Sequence, residues 1–276
     1  MDVLVTGSHG TVGTALTEQL PEAYDYTLLD RRRVDGDHPH ATDEYETVVA
    51  DVADYDAIRP AFDGQDAVVH LAGHTDPEGT FDDLLDTNIV GTHTVFEAAR
   101  DAGVNTVVFA STNHVVGMYE VANEPDIYFG TDIEVDHESP VRPDSEYASS
   151  KAAGEVFGRQ YAENHGMNVY ALRIGSVRDP AYDHPFGDAE RGVDEGRWAR
   201  DSDDYRTQAA RMSCLWQSRR DIAHMVDCSL QDDSVRFDVF YGLSDNERAW
   251  FDIDHAREKI GYDPYDSADD WDMPPR

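Results

Sequence analysis

The apolar run Asp2-Val-Leu-Val-Thr6 breaks into Gly7-Ser-His-Gly10-Thr-Val-Gly13, and an apolar repeat at Val12, Leu16 and Leu20 follows at once. A strand that turns on glycines directly into a helix constrains the fold more than any other feature of this chain. It calls for a sheet whose strand ends feed helices, and it leaves the first helix N-terminus open to whatever approaches. Pro21 closes that first helix.

The alternation continues through the first half. Residues 26–30, 47–50, 67–72, 106–110 and 169–173 read as further strands, and helices are expected over 81–102 and 147–164. Near-continuous apolar strands separated by helices predict an α/β, doubly wound parallel sheet of Rossmann type. Past Gly175 the rhythm fades. Residues 178–211 show no clear period, and a helix near 219–230, a strand over 235–241 and a helix over 253–260 follow. The expected organisation is a dinucleotide-binding domain over 1–175 and a smaller substrate-covering part over 176–276. The helix near 219–230 is placed back against the sheet. The acidic tail beyond Pro264 is expected to be loosely held.

Charge narrows the partners. With 22 basic against 57 acidic side chains the net charge is −35, which repels a nucleic-acid backbone and disfavours an anionic membrane face. No run approaches the roughly 18–20 apolar residues of a spanning helix, and no signal-like segment opens the chain. A soluble, cytoplasmic protein is the expectation. Lys151 and Lys259 are the only lysines, so 22 less 2 leaves 20 arginines. Few lysines and a large carboxylate excess suit high salt, where the Debye length falls to about 3 Å at 1 M. Cys214 and Cys228 have no metal-like or CxxC spacing and read as packing thiols; no metal is expected.

Glycines between a first strand and a first helix allow a tight turn, close backbone approach to a pyrophosphate and close helix–strand packing. Asp30 ends the second strand 23 positions after Gly7, where a carboxylate accepts from an adenosine ribose and repels a 2′-phosphate. This favours NAD. Arg31, Arg32 and Arg33 follow and would suit a 2′-phosphate, so NADP stays open. Asp51 and Val52 lie where an adenine edge is read, or in an ordinary strand-ending turn. Tyr147 and Lys151 stand four apart, on one face of a helix. A free phenol titrates near 10. A neighbouring ammonium and an oxidised nicotinamide both favour phenolate, so the pair suits a base for hydride chemistry.

In order along the chain, the Gly7/Gly10/Gly13 turn, His70-Leu-Ala-Gly73, Phe109-Ala-Ser-Thr112 and Tyr147-x-x-x-Lys151 resemble the extended short-chain dehydrogenase/reductase family. The resemblance implies a catalytic Thr112–Tyr147–Lys151 triad, with Ser111 as a stand-in hydroxyl. It implies dinucleotide contacts at Gly7, His9, Gly10, Thr11, Val12, Asp30, Arg31, Asp51, Val52, Leu71, Ala72, Gly73, Asn88, Tyr147, Lys151 and Ile174. Within the family, Phe109 to Gly117, Arg173-Ile-Gly-Ser176 and Arg211-Met212 are similar to uronate dehydrogenases and related sugar 1-dehydrogenases, haloarchaeal glucose-6-phosphate dehydrogenases included.

That likeness implies oxidation of an aldose at C1 to an aldonolactone, with a hexuronate, glucose 6-phosphate or a free aldose such as L-arabinose as candidate substrate. Thr75, Ser111, Thr112, Asn113, His114, Tyr147 and Ser176 would meet the sugar, and Arg211 would clamp a C6 carboxylate. Arg211 paired with a nearby carboxylate, and His114 as a satisfied core histidine, are the plainer readings. The stretch 182–210 departs from the uronate pattern and adds Arg191, Arg197, Arg200 and Arg206. Arg219 and Arg220 would serve a phosphate or offset nearby aspartates. A nucleotide-sugar epimerase or dehydratase is the alternative activity, against which Asn113-His114 replaces an Asp-Glu pair; a silent NAD-sensing module is the third reading. A homo-oligomer pairing through the 81–102 and 147–164 helices is implied by the family alone.

Overall fold

The computed structural model describes residues 1–41, 44–130 and 132–272. Seven strands form one parallel sheet: β1 (Asp2–Thr6), β2 (Asp25–Asp30), β3 (Glu46–Val49), β4 (Ala67–His70), β5 (Thr106–Thr112), β6 (Asn168–Ile174) and β7 (Phe237–Gly242). Their spatial order is β3-β2-β1-β4-β5-β6-β7. The winding reverses between β1 and β4. At such a switch point the loops beyond the strand ends part and leave a crevice.

The helices are α1 (Thr11–Gln19), α2 (Tyr55–Ile58), α3 (Phe81–Leu84), α4 (Thr92–Ala102), α5 (Met118–Val121), α6 (Glu146–His165), α7 (Gly187–Asp194), α8 (Asp203–Leu215), α9 (Arg219–Gln231) and α10 (Asp254–Ile260). Successive strand residues face opposite sides of the sheet. Val3, Val5, Val69 and Val108 accordingly join Leu16, Ile222 and Met225 in a core beneath α1 and α9. Leu4, Val68, Val107 and Phe109 join Phe96 and Tyr161 in a second core beneath α4 and α6. A third cluster, with Tyr128, Cys214, Leu215, Tyr241 and Trp250, lies over the β5–β7 side. No helix among the described residues is long and apolar enough to cross a membrane.

Three features differ from the sequence expectation. The 81–102 helix is interrupted by a π-helical turn over Leu85–Gly91. It brings Gly91 so close to Val52 that a Cβ there would lie 2.6 Å from Cγ2. The unpatterned stretch 178–211 contains α7 and most of α8. The buried face of α7 is made of Gly187, Ala189 and Gly192, small residues that leave no apolar stripe to read. Among the described residues, the acidic tail is pinned rather than loose. Asp266 accepts from Ser218 Oγ at 2.6 Å and pairs with Arg220, and Tyr265 N donates to Asp221 Oδ1 at 2.7 Å. Ala268 is buried with Met212 and Trp216.

The sheet also runs past position 176. β7 pairs along the whole of β6, and Arg219 of α9 is buried against α1, donating to Thr11 O at 2.9 Å and Glu18 Oε2 at 2.6 Å. Arg219 and Arg220 are thus spent on packing, and neither lines the central cleft.

Candidate functional site

A cleft of about 790 Å³ opens over the switch point. Its floor at one end is the glycine turn. Gly7 has φ of +67°, and a Cβ on it would lie 2.5 Å from Ala72 N, inside backbone. A Cβ on Gly13 would lie 2.1 Å from Ser8 O. Both positions therefore exclude a side chain, and the turn presses β1 and α1 against the end of β4 while keeping the α1 N-terminus uncovered by bulk. Asp30 lines the same end and accepts from His9 N at 3.1 Å. His9 packs edge-on to His38 with ring centroids 5.4 Å apart, and burial lowers its pKa, with Asp30 opposing and His38 adding to the fall.

The reactive centre stands where β5 ends. Ser145 caps α6, accepting from Ala148 N at 3.1 Å, and so fixes the register that puts Tyr147 and Lys151 over the sheet. Gly154 lets the helix come close, since a Cβ there would lie 2.3 Å from Phe109 Cζ. Tyr147 is 8 % exposed. Burial pushes its phenol up to about 12; a hydrogen bond with Thr112 pulls the other way, and the Asp144 charge adds to the rise. The expected pull of Lys151 on the phenol is not what sets this value. Lys151 Nζ instead donates to Ala110 O at 2.8 Å, and burial lowers its pKa to about 8. A Cβ on Gly73 would lie 3.0 Å from that nitrogen, so a side chain there would crowd the ammonium where it meets the cleft.

That buried ammonium has a testable cost. Its folded value lies below the ordinary 10.5, so between about 8 and 10.5 the unfolded chain holds a proton that the folded chain lacks, and stability rises with pH. Below 8 the cost is present in full, roughly 3 kcal/mol. Lys151→Met should therefore be more stable than the wild type at pH 7, with the gain gone above pH 10.5. Denaturant unfolding at the two pH values checks this; a less stable Lys151→Met at pH 7 contradicts it.

Around the centre, His114 Nδ1 bonds Asp144 Oδ2 at 2.6 Å, and its ring is 6.2 Å from that of Tyr147. Burial alone would raise the Asp144 carboxyl, but the bonds to His114 and Ser145 hold it below the usual carboxylate range. The bond orients the imidazole beside the phenol. Thr112 Oγ1 lies 3.4 Å from Asn113 Oδ1 and accepts from His114 N.

The cleft brings together every predicted site residue except one. Gly7, His9, Gly10, Thr11, Val12, Asp30, Arg31, Asp51, Val52, Leu71, Ala72, Gly73, Thr75, Ser111, Thr112, Asn113, His114, Tyr147, Lys151, Ile174, Ser176 and Arg211 all line it. Asn88 does not. Its amide is consumed behind Gly73, accepting from His74 N at 2.7 Å and donating to His74 O and Ser150 Oγ. It shapes the loop after β4 from underneath. Ser111 reaches the cleft wall, but its hydroxyl donates to buried Glu155 at 2.6 Å, so of the two hydroxyls Thr112 is the one left to face the cleft. Arg211 is paired with Glu120, which also accepts from Tyr128 OH at 2.8 Å.

Sequence reasoning missed Asp144, Glu120, Arg178 and Asp179. Asp179 accepts from Thr11 Oγ1 at 2.7 Å, joining the loop after β6 to the first turn of α1. Asp144, just ahead of the Ser145 cap, had a local signal; the others meet their partners only through tertiary contact.

A crevice at the sheet's switch point, a glycine floor, an acid at the end of β2 and a Tyr–Lys pair over β5 define a dinucleotide-dependent α/β class, and the chain belongs to the NAD dependent epimerase/dehydratase family, whose model matches residues 3–191. Its relatives include the NAD-dependent glucose-6-phosphate dehydrogenase of Haloferax volcanii, 39% identical, with 96% of this chain and 94% of that protein covered. The L-arabinose 1-dehydrogenase (NAD(P)(+)) of the same organism is 33% identical over 96% of this chain and 97% of its own. Among solved structures, a mutant uronate dehydrogenase from Agrobacterium tumefaciens complexed with NAD superposes with a TM-score of 0.75 at 27% identity, covering 100% of this chain and 91% of that one.

Proposed function

We propose that the chain oxidises an aldose at C1 to an aldonolactone with NAD as the hydride acceptor. The observation that carries the reading is that Tyr147, Thr112 and Lys151 line the same cleft as the glycine floor, with Lys151 Nζ beside Gly73. The relatives named above, which act on glucose 6-phosphate, L-arabinose and uronates, support a sugar as the substrate class.

The floor fits a dinucleotide by its own geometry, since side chains are excluded where Gly7 and Gly13 approach backbone. Gly10, Thr11 and Val12 at the α1 N-terminus would hold the pyrophosphate, Asp30 a ribose, and Asp51 and Val52 the adenine. Bound NAD would supply a two-electron acceptor for the hydride leaving C1. Tyr147 takes the proton of the anomeric hydroxyl as the C1–H bond breaks. Thr112, on the same cleft wall, is placed to donate its hydroxyl to that oxygen. Lys151, open to the cleft beside Gly73, would donate to the ribose of the bound dinucleotide. Thr75, Asn113, His114 and Ser176 are short polar groups at loop ends, suited to the remaining sugar hydroxyls.

The test is a panel of aldoses, aldose phosphates and uronates with NAD, followed by NADH absorbance in molar salt. Net NADH with accumulation of an aldonolactone or aldonate is expected. No NADH with any sugar, and a tightly retained dinucleotide, would instead fit an epimerase or dehydratase.

A further inference from the structure

Six cationic side chains line the cleft. Arg31 and Arg32 flank Asp30, and Lys151 is at the centre. The other three, Arg178, Arg191 and Arg211, come from the segment after β6 and from α7 and α8, and they are not equally available. Arg178 is forked onto Asp188, donating from Nε and from Nη2 at 2.6 Å, and its Nη1 donates to Val177 O. Arg211 is held by Glu120, whose side chain is 7 % exposed and is locked again by Tyr128. Moving either guanidinium onto a ligand would strand a largely buried carboxylate, which is unfavourable.

Arg191 is different. Its ion pair is with Glu195 one turn along, at 3.4 Å, with exposures of 38 % and 51 %. Such a pair is weak. Glu195 also pairs with Arg197 at 2.9 Å, so it keeps a partner when Arg191 leaves. The Arg191 guanidinium lies 5.6 Å from the Tyr182 ring centroid, which favours its charged face without consuming a donor. Asp76 and Asp179 also line the cleft, and both are engaged: Asp76 accepts from Glu78 N and Asp179 from Thr11 Oγ1.

We propose that Arg191 is the specificity-determining residue of the sugar end, exchanging Glu195 for the phosphate of a phosphorylated aldose. The inference rests on the sugar-oxidation reading and adds its substrate class. A phosphate dianion outcompetes a monovalent, solvent-exposed carboxylate for one guanidinium, and it presents the oxygen pair that a guanidinium fork matches. The family resemblance gives a C6 carboxylate to Arg211, which is already neutralised by Glu120.

The experiment compares glucose 6-phosphate, glucose and glucuronate with NAD, in the wild type and in Arg191→Ala, Arg191→Lys and Glu195→Gln. The wild type should prefer the phosphate ester. Arg191→Ala should cut the ratio of kcat/KM for glucose 6-phosphate over glucose by about ten- to a hundredfold, through KM. Arg191→Lys should recover part of it, and Glu195→Gln should lower KM for the phosphate ester. An unchanged ratio in Arg191→Ala overturns the assignment, as does a wild type that prefers glucuronate or glucose. Absence of turnover with all three sugars overturns the assignment, and absence of turnover across the whole aldose, aldose phosphate and uronate panel, in a protein that still binds NADH, overturns the sugar reading itself.

Discussion

Tyr147→Phe is expected to lower kcat about 10³-fold while the variant still binds NADH. A positioned general base contributes about 10²–10⁴, and this substitution removes only the oxygen. The aromatic ring, the α6 register set by Ser145 and the Lys151–Ala110 bond all remain. Because burial holds the phenol near 12 in the free protein, the active ionised form gains population as pH rises. Wild-type kcat/KM should therefore climb with pH through the neutral range, and the residual rate of Tyr147→Phe should not. Steady-state rates across pH, with NADH binding followed by fluorescence, separate loss of the base from loss of the cofactor. A variant retaining a tenth or more of the activity would remove Tyr147 from the chemistry.

The second large effect concerns stability. Glu155 lies one turn beyond Lys151 and accepts from two Arg173 donors, Nε and Nη2, at 2.9 Å each, with side chains 7 % and 3 % exposed. Ser111 adds a bond to the same carboxylate, and Arg173 Nη1 donates to Tyr241 OH at 2.7 Å. One buried carboxylate thereby fastens α6, β5 and β6 directly, and β7 through Arg173. Glu155→Ala leaves the guanidinium buried without its counter-charge and should cost about 3–5 kcal/mol. The paired replacement Glu155→Met with Arg173→Met should recover most of the loss, since neither charge is then stranded. Denaturant unfolding in molar salt measures both. A loss below about 1 kcal/mol for Glu155→Ala would mean that water reaches Arg173.

Much of the sheet was legible because buried parallel strands read as unbroken apolar runs, and 67–70, 106–110 and 169–173 are such runs. The glycine floor and the Tyr147–Lys151 pair were legible because backbone approach and helical spacing leave local marks. What failed to show was partnership across distance. Ser111 and Glu155 are 44 positions apart, and Arg211 and Glu120 are 91 apart. With 57 acidic residues in the chain, any arginine has many candidate carboxylates, and only tertiary packing selects one. Asn88 escaped for another reason. It lies in the π-helical turn, and its amide is taken up by the His74 backbone and Ser150. The α7 helix was hidden by the small residues it buries.

The placement of β7 has a consequence for how the protein is made. β6 is flanked by β5, whose residues precede it, and by β7, whose first residue comes more than sixty positions later. During synthesis from the N-terminus, β6 therefore waits as a bare sheet margin with half of its main-chain donors and acceptors unclaimed, and α1 waits for α9 to cover its apolar side. The nascent chain carries these sticky surfaces until its last fifth emerges.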